Sequence, residues 1–546
     1  IRLNLRRHLF DPSAPDQMNH MDRLVEILAQ KIRKQVRIRI IGDYDVDGVT
    51  SSHLFLTALR RVGAKVDVVI PHRIQDGYGL SLHLLQQAKE DGVDTILTCD
   101  NGIAAIDEIA WAKAQKMTVL VTDHHAVPFE EHEGRRTEKK SLADAVVNPH
   151  QQDCGYPYKE LCGAGVAWNV IRVLYENYDM DKREAEDLLD FVAMATVCDV
   201  MSLTGENRIL VKEGLKRIRH TKNIGLQALM QACNVQPENI SAYHFGYVLG
   251  PCVNATGRLD TARHALRLFE TGQETEAEEI ARDLVDLNQE RKELTLQGVE
   301  MAKKLCEEGG YENDPVLVLF LPDVHESIAG LIAGRIREMY NRPVFVLTRG
   351  EEGVKGSGRS TENYSMYENM CGCAELFTKF GGHPMAAGLS LPEENVEKFR
   401  RKINENCPLT VEEVCPDIHI DMAMPVGYAS TELVHQFALL EPFGKDNPSP
   451  LFADRNLSIS RMWVIGKNRN VLRMSVLSEY GQPVPVIFFG DVETLFAYFT
   501  EKFGQEEVEN ALHGRKHRIL FSMVYTAKID FYQGNENLQL EMKYYR

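Results

Sequence analysis

Residues 36–48 read VRIRIIGDYDVDG, in which a run rich in valine and isoleucine leads directly into three carboxylates at alternate positions. The run at 36–41 predicts a strand that ends at Gly42. Asp43, Asp45 and Asp47 therefore lie just beyond the end of that strand. Helix-like stretches separate it from further strand-like runs, which predicts βαβ units and a mostly parallel sheet. These further runs are 66–70, 95–99, 118–121 and 145–147.

Polar residues follow two of the later runs in the same way. Asp100 comes directly after one run, and Asp123, His124 and His125 follow another. Because ligands of doubly wound sheets bind outside the carboxyl ends of the strands, we expect these loops to converge. Clustered carboxylates repel one another unless a cation lies between them. Oxygen-rich ligation with one or two imidazoles favours Mn²⁺ or Mg²⁺, with zinc as an alternative.

Each of these loops also has a purely structural interpretation. An acidic residue at the end of a strand often caps the following helix, and for any single loop this explains the sequence as well as metal binding does. For the three loops together, metal binding is the better interpretation. Asp199 closes the apolar run 192–198, where it is either a solvent contact at a helix end or a ligand from another element.

Helical patterns dominate the middle of the chain. Residues 188–268 are mainly helical in pattern. Residues 274–305 predict one long connecting helix, because they carry charge throughout, an apolar stripe and no proline. Earlier in the chain, residues 130–140 are charged and poorly patterned, which predicts a surface insertion.

Two further blocks follow the predicted connecting helix. The first is α/β in pattern, with strands expected at 316–321 and 343–347, and it ends near Asn406. After Pro408 the pattern changes to short β-rich runs separated by turn residues, which suits a small barrel or sandwich. These runs are 457–465, 471–477, 484–489, 519–525 and 538–543.

The composition is that of an ordinary globular protein. The chain has 546 residues, 44% hydrophobic and 26% charged, which suits roughly three or four domains. No apolar run is long enough to cross a bilayer, and the first residues lack the apolar core of a secretory signal. Eleven scattered cysteines predict reduced thiols and a cytoplasmic location.

The formal net charge of −17 repels nucleic acid, so a polyanionic partner must meet a local basic surface or bound metal.

The order of the motifs resembles a known family. The 42–48 stretch, Asp100, the Asp123–His125 triplet and Asp199 resemble the four motifs of the DHH phosphoesterases. GGHPMAAG at 381–388 resembles the signature of the DHH-associated domain. Other motifs narrow the resemblance, over almost the whole chain, to the single-strand-specific exonucleases of that family. They are Arg73 with GYGL at 77–80, NATGRL at 254–259, GSGRS at 356–360 and EPFG at 441–444 with Asn447 and Pro448.

The resemblance implies the fold class and its division. We expect an α/β fold in which a DHH domain with a mostly parallel sheet is followed by a long connecting helix, a DHH-associated α/β domain and a C-terminal OB-fold β-barrel. The corresponding ranges are 1–268, 269–308, 309–406 and 407–546.

The same resemblance implies a two-metal site with a nearby catalytic histidine. The ions would be Mn²⁺ or Mg²⁺, and Asp100 would lie between them. His125 would contact the scissile phosphate, and Asp43 and Asp123 would be close neighbours in the catalytic group. The implied metal ligands are Asp45, Asp47, Asp100, His124 and Asp199.

A basic pocket for a terminal 5′ phosphate is also implied. Its matching positions are Arg73, Ser357 and Arg359, and arginine can bind phosphate bidentately. The structural alternatives are a surface arginine at Arg73 and a turn residue at Arg359. Asn254 and Arg258 either contact phosphate or tie the helical segment to the sheet. His383 follows two glycines and is either a DNA contact or part of a structural turn. The predicted phosphate or DNA contacts are thus Arg73, Asn254, Arg258, Ser357, Arg359 and His383.

The β-rich module has the basic and aromatic residues that an acidic protein needs to bind DNA. Trp463 lies close in sequence to Arg461, residues 467–470 and Arg473, and residues 515–518 form a second basic cluster. An aromatic ring beside positive charge suits single strands without sequence preference. The alternative is that Trp463 belongs to the core and the charges are simply solvated.

Together with these features, the resemblance implies a metal-dependent exonuclease that degrades single-stranded DNA from the 5′ end to 5′-mononucleotides, in DNA repair and recombination. Two neighbouring cations can activate a shared water for in-line displacement. The alternative activity is a DHH phosphodiesterase for short oligonucleotides or cyclic dinucleotides. A catalytically silent scaffold is disfavoured, because every ligand is kept in type. By family, the partners are single-stranded DNA, a single-strand-binding protein and a RecQ-type helicase, with no membrane.

Overall fold

The computed structural model describes residues 14–73, 76–77, 79–132, 135–311, 313–350, 353–407, 409, 418–466, 470–532 and 535–546. These residues form two compact units. The larger unit contains the described residues of Pro12–Met201 and Glu213–Asp417, and the smaller unit includes Ser202–Lys212 and Ile418–Arg546. None of the described helices is both long enough and apolar enough to cross a membrane.

The larger unit begins with a parallel sheet. The first seven strands are β1 (Arg37–Ile41), β2 (Lys65–Val69), β3 (Thr95–Cys99), β4 (Thr118–Thr122), β5 (Phe129–His132), β6 (Arg135–Glu138) and β7 (Ala145–Val147). Five of them form a parallel sheet in the order β2-β1-β3-β4-β7. The five predicted strands match these bounds to within one residue. Because the strands are parallel, the loops after β1, β3 and β4 share one edge of the sheet.

The described residues of the predicted insertion 130–140 include two short paired strands. β5 and β6 pair antiparallel, with Phe129 opposite Glu138. The Arg136 guanidinium lies 4.5 Å from the centre of the Phe129 ring, and Lys139 Nζ lies 2.8 Å from the Glu130 carboxylate. Because charged side chains rather than apolar ones meet across these two strands, the sequence carries no period-two apolar signal there.

Helices connect the strands of the sheet and continue beyond β7. The predicted helical region is confirmed, and the predicted connecting helix extends over Glu274–Glu308. It buries one stripe that includes Ile280, Leu284 and Val299. The other helices are Met21–Arg33, Val46–Arg61, Leu82–Glu90, Ile106–Ala114, Gly163–Asn177, Lys182–Glu186, Leu189–Cys198, Gly205–Ile218, Ile224–Ala232, Ala242–His244, Gly250–Leu259 and Arg263–Glu270.

Asp190 is a buried carboxylate that none of the predicted sites uses. It accepts hydrogen bonds from Phe191 N at 2.8 Å and Thr221 Oγ1 at 2.7 Å, and burial raises its pKa to about 6. Because the pKa of an unfolded aspartate is near 4, ionisation of Asp190 destabilises the fold as the pH rises from about 4 to 6. Asp190→Asn should therefore raise the unfolding free energy by about 1 to 3 kcal/mol at pH 7 and by almost nothing near pH 4. Urea unfolding at both pH values measures the difference, and an equal effect at both would contradict it.

A second sheet follows the connecting helix in the same unit. Its strands are β8 (Leu317–Phe320), β9 (Val344–Gly350), β10 (Gly353–Arg359), β11 (Lys379–His383) and β12 (Ala386–Leu391), and its helices are Ala329–Tyr340, Met366–Cys371 and Val396–Glu405. The order is β11-β12-β10-β9-β8, in which β8 and β9 pair in parallel and the other neighbours antiparallel. The Gly-Gly-His stretch lies in the edge strand β11 rather than in a turn. Glycine is poor in strands, so the sequence predicts no strand there.

The smaller unit contains a closed barrel. Its strands are β13 (Met422–Ala423), β14 (Phe452–Ile465), β15 (Val471–Leu477), β16 (Pro483–Phe489), β17 (Leu520–Tyr532) and β18 (Asn535–Tyr545), and its helices are Thr431–Phe437, Val492–Phe503 and Gln505–Leu512. β14 pairs with both β15 and β17, so five strands close in the order β14-β15-β16-β18-β17. This five-stranded closure agrees with the predicted OB-fold. The basic residues 467–469 lie outside the described residues.

The segment Ser202–Lys212 belongs to the smaller unit, although the predicted domain 1–268 includes it. Leu203 N donates a hydrogen bond to Lys445 O at 2.9 Å. The Arg208 guanidinium donates to Leu439 O at 2.8 Å and to Glu441 O at 2.9 Å. These partners lie more than two hundred residues further along the chain, so a local sequence pattern does not indicate them.

Candidate metal centre and phosphate cavity

The loop after β1 holds its carboxylates on a tightly packed backbone. Asp45 is the N-cap of the helix Val46–Arg61, and its side chain accepts a hydrogen bond from Gly48 N at 3.0 Å. A Cβ at Gly48 would collide with the backbone of Asp43, so this packing requires glycine. Asp45 therefore caps the helix, as the structural interpretation expects, and its carboxylate also belongs to the cluster of ligand atoms described below.

A second helix fixes the carboxylate of Asp47. Asp47 accepts hydrogen bonds from Gly163 N at 2.6 Å and Ala164 N at 2.7 Å, at the start of the helix Gly163–Asn177. The partial positive charge of a helix N-terminus favours a carboxylate in this position. A Cβ at Gly163 would lie 2.6 Å from Asp100 Cβ, so the glycine lets this helix approach Asp100 closely. Gly163 belongs to none of the predicted motifs.

His124 brings together carboxylates from three parts of the chain. Its Nε2 lies 3.0 Å from Asp100 Oδ1 and 3.7 Å from both Asp47 Oδ2 and Asp199 Oδ2. His124, Asp47 and Asp100 are buried, and Asp199 ends the helix Leu189–Cys198. Of the two interpretations of Asp199, the geometry therefore supports a position facing the cluster.

The cluster has the donor atoms and the electrostatics of a divalent-cation site. Burial and the charges of Asp47 and Asp45 raise the pKa of Asp100 well above its ordinary value, and burial with a neighbouring charge also raises the pKa of Asp43 and of Asp45. Burial lowers the pKa of His124, which favours the neutral imidazole that ligates metals. Divalent cations would relieve this carboxylate repulsion, so the donor set fits Mn²⁺ or Mg²⁺. Ligand atoms lie within 4.8 Å of one another in three groups, namely Asp43-Asp45-Asp100, Asp47-His124-Asp199 and Asp100-His124-His125.

Asp123 orients His125. Its carboxylate accepts hydrogen bonds from His124 N at 2.7 Å and Ile103 N at 2.9 Å, and it lies 2.8 Å from His125 Nδ1. Burial lowers the pKa of His125, but the hydrogen bond and the charge of Asp123 outweigh burial and raise it to about 9. The partly exposed ring can therefore donate a hydrogen bond to a phosphoryl oxygen at neutral pH.

Asp123→Asn should lower kcat by about 10- to 100-fold, because asparagine has no charge and one fewer acceptor with which to hold His125. The pKa of His125 should fall from about 9 towards its ordinary value. NMR titration of the histidine in metal-free protein measures this fall independently of activity. A lower kcat with an unchanged His125 pKa would contradict the positioning role.

A cavity of about 420 Å³ lies at the second sheet of the larger unit, where residues of β10, β11 and β12 line it. Arg73 and Ser357, both predicted phosphate contacts, line it together with Lys355 and Lys379. Glu326 also lines the cavity and forms an ion pair with Lys355 Nζ at 2.8 Å, so the charged lining is net positive. Neither lysine belongs to a predicted site, although each stands just before a glycine-rich motif.

Two partly buried guanidinium groups lie close to this cavity. Arg258 Nη1 donates to the carbonyl of Ser327, a lining residue, at 2.7 Å, and Arg359 Nη1 donates to Gly358 O at 2.7 Å. Burial lowers the pKa of Arg258 to about 10 and also lowers that of Arg359, and the charge of Arg73 lowers both further. Repulsion among three neighbouring cations would be relieved by a bound phosphate.

Three other residues of the predicted motifs are placed differently. Asn254 Oδ1 accepts a hydrogen bond from Val46 N at 3.1 Å, which is the structural tie between helix and loop that the sequence left open. His383 is exposed in β11 and does not belong to the described lining of the cavity. Tyr78 of the GYGL motif lies outside the described residues. The roles of Asn254 and His383 towards DNA stay predictions.

Comparisons with known proteins agree with the fold. The DHH family, N-terminal domain, matches residues 37–196, the DHHA1 domain matches 313–407 and the RecJ OB domain matches 420–544. Fold and site therefore define a DHH phosphoesterase. The single-stranded-DNA-specific exonuclease RecJ of Haemophilus influenzae is 33% identical over 551 residues, which cover 97% of this chain and 91% of that protein. The chain belongs to the RecJ family.

The similarity extends to a second relative and to a solved structure. The RecJ exonuclease of Bacillus subtilis is 33% identical over 472 residues, and the match covers 86% of this chain but 58% of that longer protein. The crystal structure of RecJ from Thermus thermophilus in complex with Mn²⁺ matches with a TM-score of 0.79 at 25% identity, covering 100% of this chain and 74% of that one. The predicted fold class is thus confirmed.

Proposed function

We propose that this chain is a metal-dependent exonuclease that degrades single-stranded DNA from the 5′ end and releases 5′-mononucleotides. One helix, Gly250–Leu259, carries the proposal because it reaches both sites. Asn254 binds Val46 N at the carboxylate loop, and Arg258, four residues later, binds Ser327 O at the cavity wall. Four residues of helix rise about 6 Å, so Asn254 and Arg258 lie about one helical turn apart. One short helix would thus connect the metal centre with the cavity that holds the terminal phosphate.

The residues of the metal centre have two tasks. When bound, two divalent cations activate a water nucleophile and stabilise both oxygens of an in-line displacement. His125, oriented by Asp123, would donate a hydrogen bond to the phosphoryl oxygen or the leaving group. The Mn²⁺-bound Thermus RecJ supports this choice of metal. The residues that would hold Mn²⁺ or Mg²⁺ are Asp45, Asp47, Asp100, His124 and Asp199.

The cationic cavity would set the polarity of cutting. Arginine binds phosphate bidentately, whereas lysine acts as a point charge, and the cavity has both. A terminal phosphate monoester carries more negative charge than an internal diester at pH 7. A net positive cavity therefore favours the 5′-phosphorylated end over an internal stretch of the same strand.

The C-terminal barrel would bind further nucleotides of the strand. Trp463 is only partly buried on β14, and the Arg461 guanidinium lies 5.4 Å from its ring centre. A ring beside a cation is a stacking platform for single strands.

The ten described cysteines are free thiols, which suits the predicted cytoplasmic location. A single-strand-binding protein and a RecQ-type helicase as partners, and a role in repair and recombination, follow from the family.

Two labelled oligonucleotides test the proposal. Single strands labelled at opposite ends are incubated with Mn²⁺ and, in parallel, with chelator. We expect early release of a labelled mononucleotide from the 5′ end only, and none with chelator. A blunt duplex of the same sequence is the control and should be cut far more slowly. Intact long strands with hydrolysis of dinucleotides or cyclic dinucleotides would instead support the alternative phosphodiesterase activity.

A further inference from the structure

Two tyrosines stack on each other at the surface of the larger unit. Tyr243 is 62% exposed and Tyr247 is 72% exposed. Their ring centroids are 5.2 Å apart and their planes differ by 24°. Single exposed aromatic residues are common and need no explanation. A stacked pair that faces solvent is different, because it offers an aromatic surface that the fold leaves uncovered.

The local backbone presents both rings on one face. Phe245 and Leu249 are fully buried and anchor the segment, whereas Tyr243 and Tyr247, four residues apart, project from its exposed side. A π-helical turn lies within the segment, and such turns occur frequently at functional sites. The segment consists of three successive helical elements, namely Ala242–His244, the π-helical turn Phe245–Leu249 and the α-helix Gly250–Leu259.

This segment packs against the helix that ends in Asp199. Cys198 Sγ donates a hydrogen bond to Phe245 O at 3.3 Å. A Cβ at Gly246 would lie 3.5 Å from Val197 Cγ1, so Gly246 packs next to that side chain. Asp199 is the C-cap residue next to Cys198, and its carboxylate belongs to one of the ligand groups. The segment that carries the two tyrosines therefore packs against the end of the helix that leads to the metal centre.

We propose that the Tyr243–Tyr247 pair is a stacking platform for a base of the single-stranded substrate beside the metal centre, an inference that rests on the proposed function. A single strand exposes unpaired bases, and aromatic side chains bind them without sequence preference. The rings carry no charge and bind bases by stacking. They can therefore hold the strand near a cluster of carboxylates that repels its phosphate backbone. Because the two rings are already stacked, little side-chain freedom is lost on binding.

A fluorescence measurement tests the platform without cleavage. Full-length Asp100→Asn protein, which leaves strands intact, is mixed with 5′-phosphorylated oligonucleotides that carry 2-aminopurine at a single, varied position. Stacking quenches this base, and we expect quenching at one position near the 5′ end. The double variant Tyr243→Ala/Tyr247→Ala should abolish the quenching, and Tyr243→Phe/Tyr247→Phe should keep it. The matched control is Leu296→Ala on the connecting helix, which removes a side chain that is 63% exposed and should keep the quenching.

Kinetics supply a second readout. In otherwise wild-type protein, the double alanine variant should raise KM for single strands by about 5- to 100-fold with little change in kcat. The phenylalanine pair should restore KM. If the double alanine variant does not fold, Tyr247→Ala alone replaces it, because that ring is the more exposed of the two.

The outcomes separate this inference from the proposed function. Unchanged quenching and unchanged KM in the alanine variant would overturn the platform and leave the exonuclease activity standing. A wild-type chain that does not cut single strands would remove the proposed function. Loss of quenching that phenylalanine restores, together with the rise in KM, would establish the platform.

Discussion

Asp100→Asn should lower the rate of strand cleavage by about 10³-fold or more at saturating Mn²⁺. Asp100 lies 3.0 Å from His124 Nε2 and belongs to two of the three ligand groups, so its loss affects both halves of the centre. Charge stabilisation by bound metal is worth several kcal/mol, and each 1.4 kcal/mol is about a tenfold change in rate. Asparagine is preferred to alanine because Asp100 has a φ of 61°, a left-handed conformation that asparagine tolerates better.

Asp100→Asn should lower activity without lowering the stability of the metal-free protein. The unfolding free energy of the metal-free variant should not fall, because the substitution removes one of several buried carboxylates that repel one another. Asp190→Asn is the matched control for activity, since Asp190 is also a buried aspartate of the larger unit and should cut at the wild-type rate. Release of the 5′ label measures cleavage. Wild-type cleavage by Asp100→Asn would show that the two-metal assignment is wrong.

Arg359→Ala should slow the cutting of 5′-phosphorylated strands by about 10- to 100-fold and affect 5′-hydroxyl strands much less. The Arg359 guanidinium is partly buried near Arg73, close to Gly330 at the start of the helix Ala329–Tyr340. A hydrogen bond to a charged group contributes about 1.5 to 3 kcal/mol, which corresponds to this range of rates. A 5′-hydroxyl end carries no terminal phosphate, so the substitution should reduce its rate of cutting only slightly.

Direct competition between phosphorylated and hydroxyl strands in one reaction measures the ratio of the two rates. Arg349→Ala is the matched control, because Arg349 lies in β9 of the same sheet, is 57% exposed and pairs with Glu393 at 2.9 Å. It should leave the ratio unchanged. Equal losses on both kinds of strand in Arg359→Ala would remove the phosphate role and indicate a structural one.

Most of the parallel sheet could be predicted almost to the residue because β1, β3, β4 and β7 are largely buried, whereas the edge strand β2 is not. Buried parallel strands read as largely apolar runs that end at polar residues, and β3 has the predicted bounds. β14 is the opposite case, since it begins at Phe452 although the pattern predicts a start at residue 457. The polar residues 454–456 interrupt the pattern there. The register of β14 with β17 shifts between Asp454 and Leu457, and a local sequence cannot indicate such an irregularity.

The candidate site likewise has residues that could be predicted from the sequence and residues that could not. Its carboxylates and histidines could be predicted because they follow strand ends, which a local pattern reveals. Gly163 could not, because its role is to let a helix approach Asp100, which is distant in sequence. Lys355 and Lys379 share a cavity only because β10 and β11 belong to one sheet. The stacked tyrosines depend on a π-helical turn, which has no simple periodic signal.

The hydrogen-bond partners of Arg208 are synthesised long after Arg208 itself. The carbonyls of Leu439 and Glu441, which accept its hydrogen bonds, come 231 and 233 residues later. At about 5 to 20 residues per second, a ribosome needs roughly 10 to 50 seconds for that stretch. During this interval the strands of the parallel sheet are complete, but Ser202–Lys212 has no barrel to join. Nascent chains are then most accessible to chaperones and proteases, and slower codons between the two stretches should prolong that exposure.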